Sequence, residues 1–376
     1  MIKIDSVASY ISEISKINTL ENLFFRGQSN DSYDLVPGIY RKGDKEFTHL
    51  INESVMYRDI ISKSPSDFNN KNTLESLTLM QHYGLPTRIL DITSNALVAL
   101  YFACCNNFEK NGKVYVFNVE KDSIVNYNSD RACILANLSK LNHDFYYSIR
   151  VYEQVLNYKN KIVSELENIM EEYFELMLDH NDINQFIKKN IVIKTNENYL
   201  YYLSKQLVID LEYSIKEKLK RNFTNINVDE KYIQVLILFR VHSIISEELD
   251  KIINIEIDNV NKIYFQNLID FIKEDKPYFY SRIDPIDIGK ILLVKPKLDN
   301  ARIVRQQGAF FIFGVLKGTK KLMPTFNENW IIRELIINNS SKCKILRELE
   351  LLGISEITLF PEIDYVAKHI RNKYSV

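Results

Sequence analysis

Glycine is scarce, with 10 among 376 residues, and so are proline (8), cysteine (4) and tryptophan (1). The four cysteines form no CxxC pair, and Cys104 and Cys105 are adjacent. That excludes a zinc ribbon or a disulfide framework and implies reduced thiols in a cytoplasmic protein. Excess charge is missing too. The 48 basic and 49 acidic side chains leave a net charge of -1, which gives no electrostatic reason to expect nucleic acid as a partner. No uncharged apolar run reaches the length of a membrane span. The opening "MIKIDSVASYISEISKI" carries charges where a signal peptide would be apolar. Walker, GxSxG and HExxH motifs do not occur, and His143, His180 and His242 lack metal-ligand spacing, so no metal site is expected.

What is present is the composition of a folded globular chain, 46% apolar and 26% charged. Residues 5–18 place Val7, Tyr10, Ile11, Ile14 and Ile17 at helical spacing, and "LFFRG" (23–27) reads as a buried strand. Helices are predicted over 46–63, over 72–82 with Gly84 and Pro86 ending it, and over 94–105, where almost no polar face remains. "GKVYVFNVE" (112–120) reads as a strand. From 121 to 275 there is neither proline nor glycine, and apolar residues recur at helical spacing, as in 155–178 and 232–257. Strand patterns return in 290–296, 301–314 and 329–337. A helix over 341–353, a short strand and a last amphipathic helix then follow. The expected fold is α+β, with residues 1–120 and 277–376 forming one discontinuous domain and 121–276 an all-helical insertion, read as scaffold or contact surface.

Polar chemistry gathers in three places where the context is apolar. "FFRGQSN" delivers Arg26, Gly27 and Gln28 at a strand end. "QHYGLPTRILDITSN" (81–95) holds Gln81, His82, Tyr83, Thr87, Arg88, Asp91, Thr93 and Asn95. "ARIVRQQGAFFIFG" sets Arg302, Arg305, Gln306 and Gln307 before Gly308. Buried polar groups must find partners, so these either satisfy one another or line a site for a ligand. The planar fork of arginine suits phosphate or carboxylate. Gly27 and Gly308 each permit close backbone approach. Arg26 pairs with Asp91 or contacts a ligand; both can hold. His82 is a capping residue or an acid–base group, and Thr87 and Thr93 are candidate caps. Read as strand residues, Gln306 and Gln307 alternate, so only one faces the site.

Four segments, "FFRGQSNDSYDLVPGIYR", "QHYGLPTRILDITSNALVALYFA", "RIVRQQGAFFIFG" and "LGISEITLFPEID", resemble the FRG domain family of bacteria and phages, named for the motif formed here by Phe25, Arg26 and Gly27. "SDRACILANLSKLN" and "IKEDKPYFYSRIDP" are further family-like pieces, and Ile92 stands where the family usually has Trp. The resemblance implies small twisted mixed or antiparallel sheets around a cleft, as in ADP-ribosyltransferase-type folds, which bind NAD. It implies that Arg26, Gly27, Gln28, Tyr83, Thr87, Arg88 and Thr93 contact that nucleotide-like ligand, with Arg26, His82, Asp91, Gln306 and Gln307 as catalytic candidates. The late-strand glutamate of such enzymes is replaced by Gln306 or Gln307. Asp91, or else Glu274, then has to supply the carboxylate. The implied activity is ADP-ribosyl transfer or NAD hydrolysis by an effector or toxin in bacterial or phage conflict, with a protein target or partner reached through the helical insertion. A catalytically silent nucleotide sensor is the alternative, and a purely structural or interaction role is the third reading.

Overall fold

Eight strands make one mixed sheet in the order β1-β8-β4-β2-β3-β7-β6-β5. They are β1 (Ile2–Ile4), β2 (Leu23–Gln28), β3 (Ile89–Thr93), β4 (Gly112–Asn118), β5 (Ile124–Asn126), β6 (Ile291–Lys295), β7 (Gly308–Phe313) and β8 (Ile331–Ile337). The outer pairs β1–β8 and β5–β6 are parallel, and all other neighbours are antiparallel. One continuous sheet therefore stands where small separate sheets were expected. It has a seam: β2 pairs with β4 along its whole length, but with β3 only at Phe25↔Thr93. This computed structural model describes residues 2–17, 22–41, 48–150, 249–320 and 322–375, together with 152–154, 156, 157, 159–161, 164 and 247.

The chain divides into two compact units, Met1–Ser148 with Val260–Val376, and Ile149–Asn259. The sheet lies in the first, which also contains helix α7 (Asp130–Asn137) and the helix Gln266–Asp275. In the second unit 249–259 are helical. Most of the helices read over 155–178 and 232–257 lie outside the described residues. Among the described residues no helix is long and apolar enough to cross a membrane, and the four cysteines are free.

The period of two along the strands sorts side chains onto two faces. On one face Phe25, Val114, Val116, Leu335 and Ile337 pack against helices α1 (Val7–Ser15), α6 (Ala96–Cys104) and Lys342–Leu351. On the other, Phe24, Phe117, Leu90, Ile92, Phe311 and Phe313 form an aromatic-rich core with Trp330. Helix α6 starts where the Asn95 side chain accepts the amides of Leu97 and Val98, as a cap should. Its apolar sequence is buried on nearly all sides, and each side chain so buried contributes ~1.5–3 kcal/mol.

Gly27 and Gly112 let α6 lie directly on β2 and β4. A Cβ at Gly27 would sit 1.9 Å from the Ala99 carbonyl oxygen, and one at Gly112 2.2 Å from that of Ala103. Helix α5 (Thr73–His82) opens with a capping box between Asn72 and Glu75 and ends before Gly84, whose φ is 84°.

Two readings of late elements are corrected. Residues 301–314 are not one strand: Ala301–Gln306 is helical, capped by Asn300, and only Gly308–Phe313 joins the sheet. Between them Gln307 adopts the left-handed conformation, φ 47° and ψ 46°, so Gln306 and Gln307 do not alternate along a strand. The expected short strand after Gly353 is the helix Glu356–Leu359.

Candidate functional site

At the seam, one side of β2 is without a partner strand beyond Phe25, and a cavity of about 230 Å³ opens there. Its walls include Arg26 and Gly27 from β2, Asp91 and Thr93 from β3, Thr78, Gln81 and His82 from α5, and Asn300, Arg302 and Gln306 from the late helix. The sheet and two short helices thus bring several members of the three polar segments to a common wall.

Arg26 is half-buried. Its guanidinium donates to the backbone carbonyl of Asp91, not to the carboxylate. Its Nε is fully shielded and finds no acceptor among the described residues. Burial pushes the guanidinium down to about 10, against the pull of the nearby Asp91 carboxylate and with a further push from Arg41. Arg26 therefore stays charged at neutral pH, with one donor unused among the described residues.

His82 is held from behind. Glu362 Oε1 lies 2.7 Å from His82 Nε2 and 3.9 Å from Arg302. Neither Glu362 oxygen, both shielded from solvent, receives a well-aligned hydrogen bond, so these are close approaches rather than hydrogen bonds. Arg302 is braced over the Phe360 ring, 4.6 Å from its centroid. Glu362 went unremarked as a site residue in the sequence, although it lies inside "LGISEITLFPEID". Arg302 stands among the polar segments of the sequence without a signal for its role.

The remaining candidates separate by location. Gln306 lines the cavity and donates to the Leu359 carbonyl, 3.2 Å. Gln307 is exposed and does not line it; its backbone carbonyl accepts from the Ser94 amide. Thr93 lines the cavity, donates to the Gln306 carbonyl (2.7 Å) and accepts from the Asn95 amide. Thr87 is buried and donates to the Gln81 side chain. Gln28 is buried and donates to the Asp34 carbonyl, 3.2 Å. Tyr83 stacks on His82 but is 72% exposed and outside the cavity wall. The close approach that Gly27 permits is made by helix α6. Asp91 is exposed on the wall. Glu274 pairs with Lys140 at 2.9 Å and is not on that wall.

Arg88 does not reach the cavity. It is fully buried, with Nε 2.9 Å and Nη2 2.5 Å from the two oxygens of Glu53, while Nη1 donates to the Phe313 carbonyl. Lys320, equally buried, reaches Glu53 at 2.8 Å and the Leu141 carbonyl at 2.7 Å. This triad ties helix α3 (Glu53–Lys63) to the start of β3. No group of three His, Cys, Asp or Glu side chains that could hold a metal occurs among the described residues.

The model of the FRG domain matches residues 21–112 of the chain. That span carries Arg26, His82 and Asp91, while Arg302, Gln306 and Glu362 come from beyond it. No curated protein and no solved structure matches the chain.

Proposed function

We propose that the cavity beside Arg26 in this FRG-domain protein binds NAD or a related nucleotide and acts on it as an ADP-ribosyltransferase-like site. The observation that carries the reading is the buried, unused Nε of Arg26 on a wall shared with His82 and Arg302. A phosphate in the cavity would pair with the charge of that guanidinium. With Nε2 turned to Glu362, the other ring nitrogen of His82 is left to accept a proton from an attacking water or target hydroxyl. Attack on the ribose carbon breaks its bond to nicotinamide, which leaves with the electron pair. The positive charge that develops on the ribose needs a carboxylate; Asp91 is the acid on the wall. The biological setting we assign, from the family resemblance, is effector action in bacterial or phage conflict.

Incubation of purified protein with NAD, following nicotinamide release, tests this directly. Release that disappears in Arg26→Gln and Asp91→Asn supports the enzyme. A sensing role is favoured by one observation: Gln306, one of the two glutamines standing where such enzymes have a glutamate, is uncharged and tethered to the Leu359 carbonyl. Calorimetric binding of nucleotide without release would establish that second reading. Absence of both binding and release would end both.

A further inference from the structure

Arg26 is a wall of two cavities. Beyond the one described, a second of about 390 Å³ is lined by Arg26, Arg41, His49, Gln81, Pro86 and Asp91 among others, so Arg26, Gln81 and Asp91 border both. Arg41 is exposed and makes no ion pair or hydrogen bond through its side chain among the described residues. Among the described residues the only carboxylate on this second wall is that of Asp91, whose charge acts on Arg26 without a hydrogen bond from its guanidinium. Two guanidinium groups thus share one wall with a single carboxylate among the described residues. Like charges held together favour an anion between them.

We propose that Arg26 and Arg41 together clamp a diphosphate, so that the ligand lies across Arg26 with one lobe beside His82 and the other in the second cavity. This rests on the nucleotide reading above and narrows it. A single phosphate would be served by Arg26 alone, whereas a second guanidinium across the same side chain calls for a second anionic group. The recognised chemistry is a diphosphate, carried by a dinucleotide, a nucleoside diphosphate or pyrophosphate itself. Arg41 is then a binding residue outside the Phe-Arg-Gly triplet, at the end of the family-like segment 24–41.

The test is isothermal calorimetry on the full chain with NAD, ADP, AMP and inorganic pyrophosphate, using the wild type, Arg26→Gln, Arg41→Gln and, as a charge control, Arg305→Gln. Arg305 lines neither cavity. The wild type is expected to bind NAD and ADP about tenfold more tightly than AMP, the usual scale for one charge-assisted contact. Arg41→Gln is expected to remove about that tenfold from NAD, ADP and pyrophosphate and to leave AMP within about twofold; Arg305→Gln changes none of them. Arg41→Lys keeps the charge without the fork and gives a partial loss, which reads the same contact should the glutamine variant fail to fold. If NAD and ADP bind through Arg26 but are indifferent to both Arg41 variants, the clamp is wrong and the nucleotide reading stands. If pyrophosphate binds through both arginines with no gain from a nucleoside, the clamp stands and the nucleotide reading falls. If nothing binds, both fall.

Discussion

Arg26 and Arg88 begin as similar entries in a sequence, each an arginine among apolar residues at the edge of a strand. The structure gives them opposite environments. Arg88 has a carboxylate on its fork, a carbonyl on its third nitrogen and no solvent. Arg26 has one carbonyl, an idle Nε and a cavity on either side. Arg88, with its carboxylate built in, holds the fold; Arg26 has no carboxylate on its fork among the described residues, and the proposed ligand would supply the anion. The two differ in burial and, more tellingly, in which acceptors are present.

The largest expected effect tests the structural member of this pair. Glu53→Ala leaves Arg88 and Lys320 as uncompensated buried charges and should destabilise by ~3–5 kcal/mol in urea unfolding. The same triad has a pH signature. Burial alone favours the neutral acid of Glu53, but Arg88 and Lys320 together outweigh it and hold the carboxyl below its ordinary range. A carboxyl depressed on folding contributes stability above its unfolded value of about 4.3 and loses it as pH falls through the folded value. The wild-type unfolding midpoint should therefore drop steeply in acid below that point. In Glu53→Ala this contribution to the slope is gone.

Next in size is Gly27→Ala. Its Cβ would meet backbone of α6, so overpacking of ~1–3 kcal/mol is expected in a thermal melt. Gly308→Ala is the companion, since its nearest neighbours are at an ordinary 3.7 Å; a loss as large as that of Gly27→Ala would show that the close-packing argument is mistaken. Asn72→Ala removes the cap of the helix that carries Thr78, Gln81 and His82, and should cost ~1 kcal/mol. The smallest stability change is expected for Arg26→Gln, about 1 kcal/mol or less, because only one hydrogen bond is lost. That variant should nevertheless lose the nucleotide-induced rise in melting temperature. A destabilisation of Arg26→Gln as large as that of Glu53→Ala would erase the contrast between the two arginines.

Much of the frame is readable from periodicity. The strands at 23–28, 112–118, 291–295 and 331–337 and the helices at 73–82, 96–104 and 342–351 follow their apolar patterns and caps. Two failures have physical causes. Ile89–Thr93 is short and carries Asp91 in its middle, so it does not stand out as a strand until β7 pairs with it. "ARIVRQ" has β-branched residues that favour a strand, but the Asn300 cap and the left-handed Gln307 enclose it as a helix. The candidate site was partly legible. Arg26, His82, Asp91 and Gln306 do meet at one cavity. Arg88 could not be told from Arg26, because its partner Glu53 lies 35 residues away in a helix. Glu362 was hidden for the same reason: nothing local pairs it with His82.

The seam between β2 and β3 gives the sheet an edge at its centre. The main chain of Arg26, Gly27 and Gln28 is laddered on the β4 side, with no ladder partner towards β3. By position β2 belongs to the innermost pair of strands, yet it lacks the second neighbour that normally makes an interior strand the last to open. Protection from hydrogen exchange should accordingly peak twice, in β4 and in β7, each paired on both sides, with a dip between them at β2. In cooperative terms this is two four-stranded panels joined by a single stitch, and the arginine of "FFRGQ" sits where that stitch ends.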